Sequence, residues 1–560
     1  MQSSSHVFDA WLDGFFEFYF RRHPVDATFI GEHRYDHTLP DFSAEGNRIA
    51  GFEMAGLLED LAGVPRDDLS EAQRHDLRLA QGFLEIQAWE NTAPNFHCGN
   101  PSLYTGEAIF SILSLFHRDA EPVSERAQAA IARMFLIPDF LAVSREIVTA
   151  APVPWTERAI RESRSGIAFF GRGIEILATE RGFDSEELRT AAAGATSGFE
   201  THLEWLESYL LVHPASQVAS GRDALDRYLL KGHALSPEKN SAWVGEYAAA
   251  ELAKAQAELV LQAHSIDPER SAAELLTTLG DLHPSIDEYY GEYRRVWEEA
   301  RRAALDADLV TWPDFPIEYI PFPKSDREAA GGLYYLYYRC PAPYGRTETH
   351  KYRVTPIEPS MPVEQQERLL RATNSAVIKL NHVVHHGGIG HHVQNWNGFR
   401  AESRIGRMAG TDGASRIAMF CAGTLVEGWA CYTVDLMNEV GYLTPLESLS
   451  EKQGRVRMVA RAMADVGIHT GAMTIEDAAE FYQREALMTP DAAKSEAVKN
   501  SMFPGAALMY LIGTDAIVDL RETLKGREGD AFSLKAFHDR LLSYGAIPVS
   551  LIAESMLSQA

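Results

Sequence analysis

Long stretches whose apolar residues recur every three or four positions constrain this chain more than any other feature. "SERAQAAIARMFLIPDFLAVSREIV" (124–148) and "WVGEYAAAELAKAQAELVLQAHSI" (243–266) carry that spacing on strong helix formers. "SEELRTAAAGATSGFETHLEWLESYLL" (185–211) carries it despite its glycines. The opening "MQSSSHVFDAWLDGFFEFYFRRHP" has no basic leader, and Asp9, Asp13 and Glu17 interrupt its apolar face. It reads as an amphipathic helix and not as a signal peptide. The breaks "HPASQVASGRD" (213–223) and "LSPEKN" (235–240) separate helices. A chain of this kind is mainly α. With 560 residues it is long enough for two lobes, drawn here as a helical lobe over 1–235 and a second over 236–560.

The texture changes near residue 308. "LVTWPDFPIEYIPFPKSD" (309–326) holds four prolines and predicts an irregular, extended connection. "GGLYYLYYRCP" (331–341) and "HKYRVTPI" (350–357) are aromatic and β-branched, and predict short strands. The second lobe is therefore expected to hold a small sheet over about 308–358, just ahead of the chain's most unusual segment.

That segment is "HVVHHGGIGHHVQNW" (382–396), which opens with five histidines in eleven residues around three glycines. Val377, Leu380 and Val384 give the preceding helix an apolar back. His382 lies three residues before His385 and four before His386, spacings that put imidazoles on one helix face. Gly387, Gly388 and Gly390 each cost about 1 kcal/mol in a helix interior and predict a kink, bulge or break. His391 and His392 follow, and the spacing leaves open which of them joins His385. Imidazole is the commonest metal ligand, so the cluster predicts a metal site. Glu427, in the apolar stretch "LVEGWACYTVDLM", is the candidate carboxylate ligand, because a buried carboxylate needs a partner or a metal.

Taken together, "HHGGIGHHVQ" (385–394), "EGWACY" (427–432), "RAMADVGIH" (461–469), "FPGAALMYLIGTDAIVDLRE" (503–522) and "FHDRLLSYGAIP" (537–548) resemble the bacterial domain of unknown function number 885. "HPVDATFIGEHRYDHTLPDFS" extends the resemblance to the N-terminus, so it covers nearly the whole chain. That family resembles the helical gluzincin metallopeptidases. The resemblance implies a helical two-lobed or bowl-shaped fold around a deep cleft. It also implies a divalent metal, zinc first, held by His385, by His391 or His392, and by Glu427. Tyr510 and His538 fall in the matching C-terminal blocks as candidates to stabilise an oxyanion or orient substrate. His382, Arg461, Asp465 and His469 are candidate supports behind the ligands.

The sequence departs from that pattern at the chemistry. His386 stands where the family carries a glutamate base, Ile389 where it carries proline, Val434 where it often has glutamate and Ala506 where it has glutamine. Three readings follow. The first is a hydrolase of peptide or amide bonds in small substrates, with His386 as an altered base, since neutral imidazole works near pH 7. The second is a non-hydrolytic iron or manganese enzyme, an oxygenase, lyase or isomerase. The third is a metal-binding protein without catalysis.

The net charge of −27 argues against nucleic acid as a partner. Four scattered cysteines predict reduced thiols and not a disulfide framework. No uninterrupted apolar run approaches 18 residues, so no membrane partner is expected, and the chain is expected to be cytoplasmic with a small-molecule or short-peptide substrate.

Overall fold

The computed structural model describes residues 4–118, 121–330, 340–345, 348–411 and 415–559. The fold is mainly helical, with one small sheet. The chain forms two compact units. The first runs to Ser220 and takes in a short excursion that begins at Phe322. The second holds Gly221–Pro321 and the chain from Glu348 onward.

In the first unit, helix α1 (Ser4–Arg22) buries Phe8, Trp11, Leu12, Phe15 and Tyr19, as its apolar spacing requires. Helix α2 (Val123–Ile147) packs on α3 (Glu186–Ser208). The glycines that weaken the helical pattern of α3 have a packing use. A Cβ at Gly198 would come within 3.0 Å of Pro138 Cα, so the glycine admits the proline-bearing helix. By length and mean hydropathy α2 could cross a bilayer, a property hidden from a count of uninterrupted apolar runs. Half of its apolar window is buried in the protein, however. Its buried Arg133 donates to Ser111 O at 2.7 Å and to Thr28 Oγ1 at 2.7 Å. This is the pattern of a core helix.

In the second unit, α4 (Ser241–Ile266) starts at Asn240, whose side chain accepts from the amides of Ala242 and Trp243. Helix α5 (Tyr289–Asp306) follows and leads to the sheet. Strand β1 (Ile317–Pro321) pairs in parallel with β2 (His350–Val354), Ile317 opposite His350 and Pro321 opposite Val354. The proline-rich 309–326 is thus not irregular throughout. Pro316 and Pro321 bracket a strand, where a missing N–H does not interrupt a two-stranded ladder. The strand expected over 331–341 falls mainly on 331–339, outside the described residues. The one expected at 350–357 is β2.

The segment Val377–Gly387 is a π-helix. After Gly388–Gly390 the chain resumes as α6 (His391–Gly398). Then come α7 (Gly423–Glu439), α8 (Pro445–His469), α9 (Pro490–Met502), α10 (Met509–Glu528) and α11 (Leu534–Ser543). α4 packs along α8, and α7 along α10. α7 and α10 approach through facing glycines, since a Cβ on Gly428 would sit 2.7 Å from Gly513 Cα. That close crossing fixes α7, and with it Glu427.

Candidate metal centre

Eleven residues of π-helix is long for a conformation usually confined to single-turn bulges, often at functional sites. Its wider turn sets the histidines differently from the α-helix the spacing predicts. The glycines that end it are required sterically. A Cβ at Gly390 would strike the carbonyl of His385, and one at Gly387 would strike the Tyr319 hydroxyl. At Gly388 a Cβ would lie 2.8 Å from Val383 O. The turn is fastened from both sides. Trp297 Nε1 donates to Gly387 O at 2.7 Å, and Trp429 Nε1 donates to Ile389 O at 3.0 Å and Gly390 O at 3.2 Å. The amide of Gly390 donates to Val384 O at 2.9 Å.

This turn brings together His385, His386 and His391, with one potential ligand atom from each lying within 4.8 Å of the others. Glu427 enters from α7. Its Oε2 lies 3.4 Å from His385 Nε2 and 3.7 Å from His391 Nε2. Burial raises the Glu427 carboxyl, but hydrogen bonds and charge from His385 and His391 outweigh it and hold the group well below the usual carboxylate range. Burial lowers the His385 imidazole, against the pull of Glu427. The donor set fits a divalent ion. Two ligands of a tetrahedral centre with bonds of ~2.0–2.1 Å stand ~3.3 Å apart.

His386 Nδ1 lies 2.7 Å from Asn381 O. A carbonyl only accepts, so Nδ1 carries a proton, and in the neutral ring Nε2 has the lone pair. A ligating histidine is commonly oriented in this way, by giving its second N–H to a carbonyl. His391 and His392 are placed differently. His391 sits in the cluster, whereas His392 turns away, with Nε2 2.9 Å from Phe315 O and Nδ1 3.2 Å from His350 Nδ1. Burial lowers His392 to about 4, so the ring is neutral. By the same carbonyl argument His392 carries its proton on Nε2, and His350 donates to it. His350 was not singled out in the sequence. Its place on β2 is the only signal, and it depends on the tertiary fold.

Each of the remaining candidates has contacts outside this group of four. His382 Nδ1 pairs with the Tyr352 hydroxyl at 3.0 Å, tying the π-helix to β2. Arg461 makes a two-pronged pair with Glu496, at 2.8 and 3.0 Å, and lies over the Tyr510 ring at 4.7 Å. Asp465 accepts from the amides of Gly505 and Leu508 at 3.0 and 3.1 Å, holding the turn that leads into α10. Burial raises it to about 7. His469 Nε2 is 2.9 Å from Asn500 O. His538 is fully buried, with Nε2 2.8 Å from the Tyr432 hydroxyl and Nδ1 2.6 Å from Leu309 O. Both of its nitrogens are engaged, and its ring packs edge-on to Trp429. It therefore supports the indole that fastens the glycine turn.

A mainly helical protein that gathers three imidazoles and a carboxylate at the end of a π-helix is the class that this fold and site define. Residues 24–556 match the family described as "Bacterial protein of unknown function (DUF885)", and the chain belongs to that family. Two solved structures share the fold over this entire chain. One is described as a "putative lipoprotein of unknown function" from Shewanella oneidensis, with 22% identity, TM-score 0.79 and all of its own chain covered. The other is described as a "putative lipoprotein" from Colwellia psychrerythraea, with 18% identity, TM-score 0.79 and 99% of its chain covered. No curated protein matches the sequence. These descriptions overturn the expectation of a cytoplasmic protein, since lipoproteins are anchored at a membrane surface by covalent lipid. Acidic charge and the lack of an uninterrupted apolar run bear on nucleic-acid binding and bilayer crossing. Neither identifies a compartment.

Proposed function

We propose that this protein is a metal-dependent hydrolase of peptide or amide bonds in small substrates. The observation that carries the reading is the grouping of His385, His386 and His391, with Glu427 against His385 and His391 at separations that suit ligands of one ion. In this reading His385, His391 and Glu427 hold a divalent metal, zinc first. Such an ion supplies Lewis-acid polarisation of a carbonyl and a water of lowered pKa. His386 takes the role of base through Nε2, its ring held by the Asn381 carbonyl. Hydrolysis then breaks the C–N bond, the water oxygen going to the acyl carbon and the proton to the leaving amine. Tyr510, steadied by Arg461 across its ring, is the candidate to face the oxyanion in a gluzincin-like cleft.

The test is metal content and turnover in one preparation. Zinc near one per chain is expected, lost in His385→Ala and Glu427→Ala, together with cleavage of short peptides or amides. Metal-replete protein that cleaves no member of a peptide and amide library would refute the hydrolase.

A second reading is favoured by the closeness of His386 to the other two rings. Three imidazoles and a carboxylate also suit iron or manganese and non-hydrolytic chemistry. Iron or manganese in the purified protein, with oxygen uptake or a lyase reaction, would select it.

A further inference from the structure

Helices α4, α7 and α10 and the C-terminal helix α12 (Val549–Gln559) wall a cavity of about 250 Å³ in the second unit. None of His385, His386, His391 and Glu427 lines it. Pockets for drug-sized ligands measure ~300–1,000 Å³, so this one takes a single small molecule. Buried Leu235, Ile512, Leu520 and Val549 give it an apolar floor.

One wall is fixed in place. Trp243 and Tyr247, a turn apart on α4, stack with ring centres 4.9 Å apart and planes 6° from parallel. The Tyr247 hydroxyl donates to Asp515 of α10 at 2.6 Å, and Arg455 of α8 grips the same carboxylate at 2.6 and 3.1 Å. Asp515 is therefore occupied. Thr424 and Ser550 are occupied too. Thr424 Oγ1 accepts from the Val549 amide at 3.2 Å, and Ser550 Oγ donates to His233 O at 3.1 Å.

Lys239 and Asp519, exposed charges of the same lining, differ from these. Lys239 Nζ lies over the Trp243 ring, 5.0 Å from its centre. Asp519 follows Asp515 by one turn of α10, on the same face. Among the described residues neither side chain has a hydrogen bond or an ion pair. Each is nevertheless within electrostatic reach of the other. Burial and Asp515 raise the Asp519 carboxyl, Lys239 pulls it down, and Glu251 adds to the rise. Opposite charges that share the lining of an apolar cavity without closing on each other suit a ligand that carries both signs. An amine alone would leave the Lys239 ammonium beside a second cation, and an acid alone would do the same to Asp519.

We propose that this cavity binds a free apolar amino acid, its ammonium on Asp519, its carboxylate on Lys239 and its side chain on the apolar floor. Both polar contacts are charge-assisted hydrogen bonds. The proposal does not rest on the hydrolase reading, although peptide hydrolysis releases ligands of this class.

The experiment is calorimetric titration of the full chain with L-leucine and three analogues. Isoamylamine lacks the carboxylate, isocaproate lacks the ammonium, and glycine lacks the side chain. Leucine is expected to bind about 10–100-fold more tightly than each, the worth of a charge-assisted hydrogen bond or of a buried leucine side chain. Lys239→Gln should bring leucine down to the level of isoamylamine, and Asp519→Asn to the level of isocaproate. Both substitutions are at exposed positions, where the fold does not depend on them. No saturable binding of leucine, or an analogue that binds as tightly as leucine, overturns the site. So does leucine affinity that survives both variants, which would place the ligand elsewhere, including on a metal ion at the histidine cluster.

Discussion

Replacing Trp429 with phenylalanine tests whether the glycine turn is held for the sake of the histidines. The indole is fully buried and its Nε1–H serves the carbonyls of Ile389 and Gly390, the two residues before His391. Phenylalanine keeps an aromatic ring against Tyr432 and His538 but brings no donor. A buried carbonyl deprived of its donor costs about 1–3 kcal/mol. The smaller ring leaves a void that costs about 1–2 kcal/mol more, at about 24 cal/mol per Å³. Void and hydrogen bond both lower global stability, so stability alone does not separate them. Metal affinity does, because only the hydrogen bonds act on the ligand-bearing turn, where loss of such a support weakens binding about 10–100-fold. The assay is urea unfolding of metal-free protein beside zinc competition with a chromophoric chelator. Trp155→Phe is the comparison, since Trp155 is equally buried but belongs to the first unit. Both variants should lose stability, and only Trp429→Phe should lose zinc affinity. If Trp429→Phe binds zinc as tightly as the wild type, the turn does not depend on that indole and the reasoning fails.

Other perturbations follow from the same geometry. Gly390→Ala places a methyl against the His385 carbonyl, so the turn must rearrange. Zinc stoichiometry should fall well below one per chain, with an overpacking cost of ~1–3 kcal/mol in urea unfolding. His202 is buried and lowered by that burial to about 3, so the native ring stays neutral while the unfolded chain protonates it near 6.5. Unfolded protein then binds the extra proton between those values, and stability is lost as the pH falls from about 6.5 toward about 3. His202→Leu should flatten that fall by about 1.4 kcal/mol per pH unit, read from urea unfolding at a series of pH values. Arg133→Met should destabilise the first unit by about 2–4 kcal/mol by removing the charged donor's hydrogen bonds to Ser111 O and Thr28 Oγ1, and denaturant midpoints would show it.

The helical character of the chain was legible because amphipathic spacing is a local property, and α2, α3 and α4 fall on the stretches that carry it. The approach of Glu427 to the histidines was legible only as chemistry, a carboxylate in apolar company. Its distance depends on Gly428 meeting Gly513, a contact 85 residues apart in sequence. The glycines after the cluster announced a break but not its form. A π-helix has no sequence period distinct enough to separate it from an α-helix over eleven residues, and it is the carbonyls of Val383, Val384 and His385 that leave no room for a Cβ. The choice between His391 and His392 depended on that form. β1 was missed because four prolines outweighed the β-branched and aromatic residues between Pro316 and Pro321.

The π-helix also constrains what position 386 can do. Its ring nitrogen donates to the carbonyl of Asn381, five residues back, the carbonyl that a π-helical turn presents. A glutamate there has no donor and would face a carbonyl oxygen with its own negative oxygens, so His386→Glu must swing the side chain away before it can act as a base. Glutamine can donate to Asn381 but cannot take a proton near pH 7. His386→Gln therefore separates the two readings of this residue. If His386 is the base, zinc binding stays within about twofold of wild type while turnover falls by about 10²–10⁴. If it is a ligand, zinc affinity itself falls, because the amide replaces an imidazole with a weaker donor. Undiminished turnover with undiminished zinc would show that His386 does neither, and the proton would have to be taken by another group.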